Sequence, residues 1–207
     1  RRFARNSKII LANYDCKKIR EKIYPTKWWS NQTIKGIDFA AIPISMNGKE
    51  TIVNFHEKEV FIKQIKIPLP GHHNLSNVTG AISACRLAGI PFEKLETCLE
   101  SIQPPDRRFQ FRGIWNERQI VDDYAHHPSE IKATLSMVQL IMNSKISKLP
   151  QRPKRVVSVF QPHRFSRTKD FLNDFAKSLE QSDEIILAPI YDAGEAPILG
   201  INSQALA

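Results

Sequence analysis

Two carboxylates, a phenol and two imidazoles stand together in Asp122-Asp123-Tyr124-Ala125-His126-His127-Pro128. Carboxylates and imidazoles are the groups that move protons and hold charged substrates. A second cluster, Gln161-Pro162-His163-Arg164-Phe165-Ser166-Arg167-Thr168, sets two guanidiniums three residues apart beside an imidazole. Such a pair can grip a carboxylate or a phosphate in bidentate fashion, each charge-assisted bond contributing about 1.5–3 kcal/mol net. Asp106-Arg107-Arg108-Phe109 and Tyr191-Asp192-Ala193-Gly194-Glu195 are two smaller clusters of the same kind.

Each cluster also has a plain structural reading. Asp122 and Asp123 suit a helix cap and a loop acid, and His126 and His127 suit surface imidazoles in a tight turn. Arg164 and Arg167 suit the solvated first turn of a helix. Positive charge there opposes the helix dipole, so an anion that relieves the conflict is the stronger reading. His72 and His73 suit loop residues, with Asn74 an N-cap.

The elements that carry these clusters follow from periodicity. Gln119-Ile120-Val121 is an apolar strand leading into the first cluster, which spans 119–123. Ile131, Leu135, Val138 and Met142 then share one face of a helix over 129–143. A strand over 156–160 precedes the polar loop 161–168. A helix with Phe171, Leu172, Phe175, Ala176 and Leu179 inward follows, then a strand over 184–190. This βαβαβ order predicts a parallel sheet with right-handed crossovers, whose carboxyl-end loops gather on one edge.

Upstream, strands are expected over 8–13, 37–44, 51–55 and 59–67, with a short helix over 15–22. Asn47-Gly48 signals a hairpin. Leu75, Val78, Ile82 and Cys85 mark a helix that Gly89 and Pro91 end, and a shorter helix spans 92–102. The pattern changes at Pro104-Pro105, which divides the chain into 1–104 and 105–207.

Composition bounds the function. The 207 residues are 42% hydrophobic and 25% charged, enough for one large core or two modest ones. No apolar run approaches the roughly 20 residues needed to cross a bilayer. The opening Arg1-Arg2-Phe3-Ala4-Arg5 has no apolar stretch after it, so no secretory leader is expected. The missing initiator Met and the stop in mid-pattern suggest a piece of a longer protein. Cys16, Cys85 and Cys98 lack metal-ligand spacing, and Cys85 and Cys98 fall in apolar helical patterns, which predicts buried free thiols in a reducing cytoplasm. The net charge of +9 is weighted toward the start, from Arg1 to Lys27. Those bases are not interleaved with stacking aromatics, so neither nucleic-acid nor membrane partners are expected, and a surface meeting phosphorylated metabolites is preferred.

Three stretches, in order and spacing, resemble the Mur ligases, the ATP-dependent amide-forming enzymes of peptidoglycan precursor synthesis. They are Gly71-His72-His73-Asn74-Leu75-Ser76-Asn77, Asp106-Arg107-Arg108-Phe109, and Asp122 to Glu130. Phe160-Gln161-Pro162-His163-Arg164-Phe165-Ser166-Arg167-Thr168 and Tyr191 to Pro197 point to the branch that joins L-alanine to UDP-N-acetylmuramate. The resemblance runs from about Ser7 to the last residue, and the nine-residue stretch is its most specific part.

The resemblance implies an α/β protein in two parts. Residues 1–104 would be the latter part of a P-loop-type central ATPase domain. Residues 105–207 would be most of a Rossmann-like C-terminal domain with a mostly parallel sheet. It implies that His73, Asn74 and Asn77 border the adenine, and that Arg108 and Asp123 serve the ATP phosphates and ribose. Tyr124, His126, His163, Arg164 and Arg167 would surround the incoming alanine and the acyl group, with His126, His163, Arg164 and Arg167 in catalytic roles. The implied cofactors are ATP and Mg2+, and the implied state is a cytoplasmic monomer or weak homodimer.

The chain departs from the family in places. It has no G-x-x-x-x-G-K-[ST] loop, and the metal-binding residues of the central domain would lie upstream. His72 stands where the family often has a basic residue, and Ala125 where it often has Gly. The chain alone is therefore expected not to turn over. The alternatives are the related ligase that attaches a peptide to the same nucleotide sugar in cell-wall recycling, and a non-catalytic nucleotide- or nucleic-acid-binding module.

Overall fold

The computed structural model describes residues 6–206, so Arg1, Arg2 and Arg5 of the basic run lie outside the described residues. The chain folds as two compact units, Arg1–Gln103 and Pro104–Ala207.

The first unit is a five-stranded mixed sheet covered by helices. Its elements are β1 (Leu11–Asn13), α1 (Lys17–Arg20), β2 (Lys27–Ser30), β3 (Phe39–Met46), β4 (Thr51–Glu57), β5 (Val60–Ile67), α2 (His72–Leu87) and α3 (Phe92–Glu100). The strands lie in sequence order, with β1–β2 and β2–β3 parallel and β3–β4–β5 antiparallel. Period-two alternation sends Phe39, Ala41, Val53, Phe55, Ile65 and Ile67 to one buried face. Leu75, Val78 and Ile82, one stripe of α2, close over it. Arg86 ties the far end of α2 to the sheet by pairing with Glu57 through two nitrogens and donating to the Ile90 carbonyl at 2.7 Å.

Three expectations for this unit are corrected. The strand β2 was not foreseen, since Lys27-Trp28-Trp29-Ser30 is too short and polar-flanked to show alternation. It pairs because the Asp38 carboxylate accepts from the Trp28 N–H and Lys27 Nζ. The first strand is shorter than the 8–13 expected. Of the thiols expected to be buried, Cys85 is only half-buried and Cys98 is exposed, because α3 turns Phe92 and Leu99 inward instead.

The second unit contains β6 (Gln110–Trp115), β7 (Arg118–Asp122), α4 (Pro128–Asn143), β8 (Val157–Phe160), α5 (Phe165–Asp170), α6 (Leu172–Leu179) and β9 (Glu184–Leu187). Ile131, Leu135, Phe160, Phe175 and Leu179 form its main core. The helix α4 starts where expected for physical reasons. Pro128 occupies the first turn, and His127 and Glu130 form a reciprocal capping box.

The continuous three-strand parallel sheet expected here is not what forms. Among the described residues β7 pairs with β6 in an antiparallel hairpin, and β8 pairs with β9 in parallel. A cavity of about 250 Å³ borders both β7 and β8, lined in part by Val121, Thr134, Leu135, Val138 and Val159. The polar stretch 161–168 is also not wholly loop. The helix α5 begins at Phe165, holds Arg167 and Thr168, and breaks at Phe171 before α6.

No helix among the described residues is long and apolar enough to cross a membrane.

Candidate functional site

In the second unit the polar clusters gather where β7, β8 and β9 end. The loop after β7 is built around Asp123. Its Oδ2 accepts the Phe109 N–H at 2.9 Å, and its Oδ1 accepts the Ala125 N–H at 2.8 Å and the Thr134 hydroxyl at 3.2 Å. One carboxylate thus ties the Asp106-to-Phe109 loop, the Tyr124-to-His127 loop and α4. Arg107 and Phe109 are held in the left-handed region, at φ 58° and 49°, which costs a side-chain-bearing residue roughly 1–2 kcal/mol each.

That loop places two arginines against Tyr124. The Arg107 guanidinium lies 5.0 Å from the ring centroid and that of Arg108 lies 6.0 Å away. Arg107 also pairs with Asp122 at 3.2 Å. Tyr124 also meets the His126 ring edge-on at 5.2 Å.

Glu130 lies between the imidazole and the second arginine. Its Oε2 accepts the His126 N–H at 3.0 Å and the His127 N–H at 3.2 Å, and its Oε1 stands 4.0 Å from Arg108. Burial pushes the Glu130 carboxyl upward. The His126 N–H, the His126 and Arg108 charges and the His127 N–H outweigh that and hold it below the ordinary carboxylate value. The His126 Nδ1 stands 2.9 Å from the Tyr124 carbonyl, which can only accept. In the neutral ring Nδ1 therefore carries the hydrogen, and Nε2 is left as the lone-pair nitrogen.

His163 and Arg164 are set by the neighbouring strand end. The Arg164 N–H donates to the Tyr191 carbonyl at 2.7 Å, and the Tyr191 N–H to that of Pro162 at 2.9 Å. The His163 and Tyr191 rings face one another at 5.1 Å. Burial depresses the proton affinity of His163, and the charges of Arg167, Arg164 and His126 depress it further, with Glu195 opposing. His126, His163, Arg164 and Arg167 therefore share one electrostatic neighbourhood. Two nitrogens in it are enclosed and have no hydrogen-bond partner, His163 Nδ1 and Arg167 Nη1. An unpaired buried guanidinium donor is costly, and an anionic group would satisfy Arg167 Nη1.

The anion at the start of α5 is one the sequence reading missed. The Glu195 carboxylate accepts the Ser166 N–H at 2.9 Å and the Ser166 hydroxyl at 2.8 Å, and stands 3.9 Å from Arg164. Those two bonds hold its proton affinity below the ordinary carboxylate value. The sequence signal was an acid in the cluster after β9, but its partner lies 29 residues away.

The remaining candidates belong to the first unit. His73, Asn74 and Asn77 sit in the first two turns of α2, which begins after Gly71 at φ 93°. The Asn74 side chain donates to the Pro70 carbonyl at 2.7 Å, fixing the chain reversal before the helix. Asn77 is exposed and His73 half-buried. Among the described residues no group of three or more His, Cys, Asp or Glu could hold a metal ion, so no residue of this chain is assigned to magnesium.

Residues 107–207 match the model of the Mur ligase, glutamate ligase domain, family. A UDP-N-acetylmuramate--L-alanine ligase of Prochlorococcus marinus (strain MIT 9303) is 54% identical over the whole of this chain, which covers 42% of that protein. A ligase of the same name from Parasynechococcus marenigrum (strain WH8102) is 51% identical, again over the whole chain and 44% of its own length. The crystal structure of UDP-N-acetylmuramate-alanine ligase from Thermotoga maritima superposes with a TM-score of 0.69 at 22% identity, covering 93% of this chain and 40% of that one. The chain thus spans less than half the length of these relatives.

Proposed function

The chain belongs to the Mur ligase family, and from that premise we propose that it serves an ATP-dependent ligase that adds L-alanine to UDP-N-acetylmuramate in peptidoglycan precursor synthesis. The first unit is assigned as the latter part of the ATPase domain and the second as the domain that receives the amino acid. ATP and Mg2+ are the assigned cofactors and the cytoplasm the assigned compartment. His73, Asn74 and Asn77 are assigned to the adenine border, and Arg108 and Asp123 to the phosphate and ribose side. Because the oxygens of Asp123 already accept from Phe109, Ala125 and Thr134, its part is to aim the arginine loop.

The observation that carries this reading is the pair of enclosed, unpartnered nitrogens, His163 Nδ1 and Arg167 Nη1, beside the Arg164 guanidinium. Arg167 Nη1 suits a carboxylate or phosphoryl group brought by substrate, as does His163 Nδ1 in the tautomer that carries its hydrogen there. ATP supplies the phosphoryl group that activates the lactyl carboxylate of the nucleotide sugar. Arg164 and Arg167 pin the alanine carboxylate so that its amine points at the acyl carbon, an orientation effect. His126, with Nε2 bearing the lone pair, accepts the proton that the amine loses on attack. His163 and the arginines face the oxygen on which charge develops in the tetrahedral intermediate. Tyr124 closes one wall, its ring in contact with the Arg107 and Arg108 guanidiniums and with His126.

The test is phosphate release from ATP by the protein expressed at the full length of its gene. Release that requires both L-alanine and UDP-N-acetylmuramate is the expected result. Release that requires a tripeptide in place of L-alanine would overturn the assignment of the acceptor. No release with either would overturn the ligase reading itself.

A further inference from the structure

Glu195 is absent from every role assigned above, yet its carboxylate is the hub between two of the loops that carry the site. The turn that presents it is strained in a specific way. Ala193 sits at φ 53° and Gly194 at φ 83°, and the Gly194 N–H is caught by the Asp192 carboxylate at 2.9 Å. A left-handed alanine is strained, so something must hold the turn in this shape. The Glu195 N–H closes it on the Asp192 carbonyl at 3.1 Å, and the two bonds from Ser166 tie it to α5.

Ser166 stands at the second position of α5, where its N–H has no partner inside the helix. Glu195 supplies that partner. Arg164, one residue before the helix, is itself at φ 75°, with its N–H bound to Tyr191 and its carbonyl accepting the Thr168 N–H at 3.1 Å and hydroxyl at 2.8 Å. The backbone of Arg164 is thereby locked. Its guanidinium is not, and among the described residues the one carboxylate within salt-bridge range of it is that of Glu195, at 3.9 Å. The separation leaves the guanidinium N–H groups able to meet a second carboxylate while the charge draws the side chain toward Glu195.

We propose that Glu195 is a positioning residue for the amino-acid substrate: by anchoring Ser166 and drawing Arg164, it sets the two arginines Arg164 and Arg167 at the spacing that receives the substrate carboxylate. This rests on the ligase reading for its substrate, but not for its geometry.

The test uses Glu195→Ala, Glu195→Gln and Glu195→Asp in the protein expressed at full gene length. In Glu195→Ala the KM for L-alanine should rise about tenfold or more, while the KM for ATP stays within about twofold, since only substrate-carboxylate binding is disturbed. Glu195→Asp should recover part of the loss, and Glu195→Gln less, because the amide lacks the charge. A purely structural role would move the thermal midpoint and all the Michaelis constants together, which would overturn the proposal, as would an unchanged KM for L-alanine. Amide hydrogen exchange at Ser166 needs no turnover. It should quicken on the order of tenfold or more in Glu195→Ala, because the N–H loses its only acceptor. If wild type proves inactive with L-alanine, the substrate reading fails. Unchanged exchange at Ser166 would separately sink the anchoring.

Discussion

Replacing Asp123 should loosen the second unit far more than its exposure suggests. Its carboxylate accepts the N–H groups of Phe109 and Ala125 and the Thr134 hydroxyl. A buried N–H left without an acceptor costs about 1–3 kcal/mol, and these are partly buried, so the two together should cost about 2–3 kcal/mol. The hydroxyl bond, at 3.2 Å, adds about 0.5 kcal/mol. Against this, releasing Phe109 lets the loop relieve its left-handed residues, returning roughly 1 kcal/mol. Asp123→Ala should therefore lose about 2 kcal/mol net, and Asp123→Asn about 1, since an amide oxygen can keep one N–H bond while its NH2 faces the other donor. The neighbouring Asp122 makes one half-exposed ion pair with Arg107, so Asp122→Asn should cost under about 0.5 kcal/mol. Urea unfolding followed by fluorine-labelled tryptophan separates the units, because Trp115 belongs to the second and Trp28 and Trp29 to the first. Equal midpoints for wild type and Asp123→Ala at the Trp115 resonance would refute the clamp. So would Asp122→Asn proving the more damaging change.

Glu130→Gln weakens the capping box of α4, and should cost about 1 kcal/mol at pH 7. Because the folded carboxyl sits below its ordinary value of 4.5, that stability is present above this pH and is lost as pH falls through the folded value. The gap between variant and wild type should thus narrow in an acid denaturation series as pH falls below 4.5. His163 is a base with its folded affinity depressed from 6.5, so just below that pH the unfolded chain binds a proton that the native one refuses. Wild-type stability should fall as pH drops below about 6.5, and His163→Gln should flatten that slope in urea midpoints. Arg86→Ala should destabilise the first unit by about 2–3 kcal/mol, read from the Trp28 and Trp29 resonances, since it strips Glu57 and the Ile90 carbonyl of their partner.

What was legible in the chain divides along local and distant causes. The start of α4 could be read because its signals, Pro128 and Glu130, lie within one turn. The β3–β4 hairpin could be read from Asn47-Gly48 between two alternating runs. The β6–β7 hairpin could not. Its two-residue turn is Asn116-Glu117, both at positive φ, 45° and 62°, and Glu is a residue that such turns disfavour. Without that turn β7 looks like the opening strand of a parallel sheet, which is why the three-strand sheet was expected. The start of α5 was hidden inside the polar stretch for a related reason. Its N-terminal N–H is satisfied by Glu195, from a different loop, and no residue near Phe165 advertises a cap. The cations of the site were visible as residue types. Which carboxylate answers which cation is a tertiary fact.

That pairing decides what charge the site has left. Glu130 accepts the His126 and His127 N–H groups, Asp122 faces Arg107, and Glu195 is bound to Ser166. The carboxylates are thus committed, while Arg167 Nη1 and His163 Nδ1 remain unanswered. The field so created lowers the proton affinity of His163, with the two arginines and His126 contributing after burial. It acts on any base brought alongside. An amino acid whose carboxylate meets Arg164 and Arg167 would place its ammonium in the same field, and by the same reasoning would hold its proton less tightly than in water. An arrangement that merely binds an amino acid gains nothing from that shift. One that needs the neutral amine as a nucleophile near pH 7 does, and under the proposed ligase reading the residual positive charge would serve capture of the carboxylate and release of the proton at once.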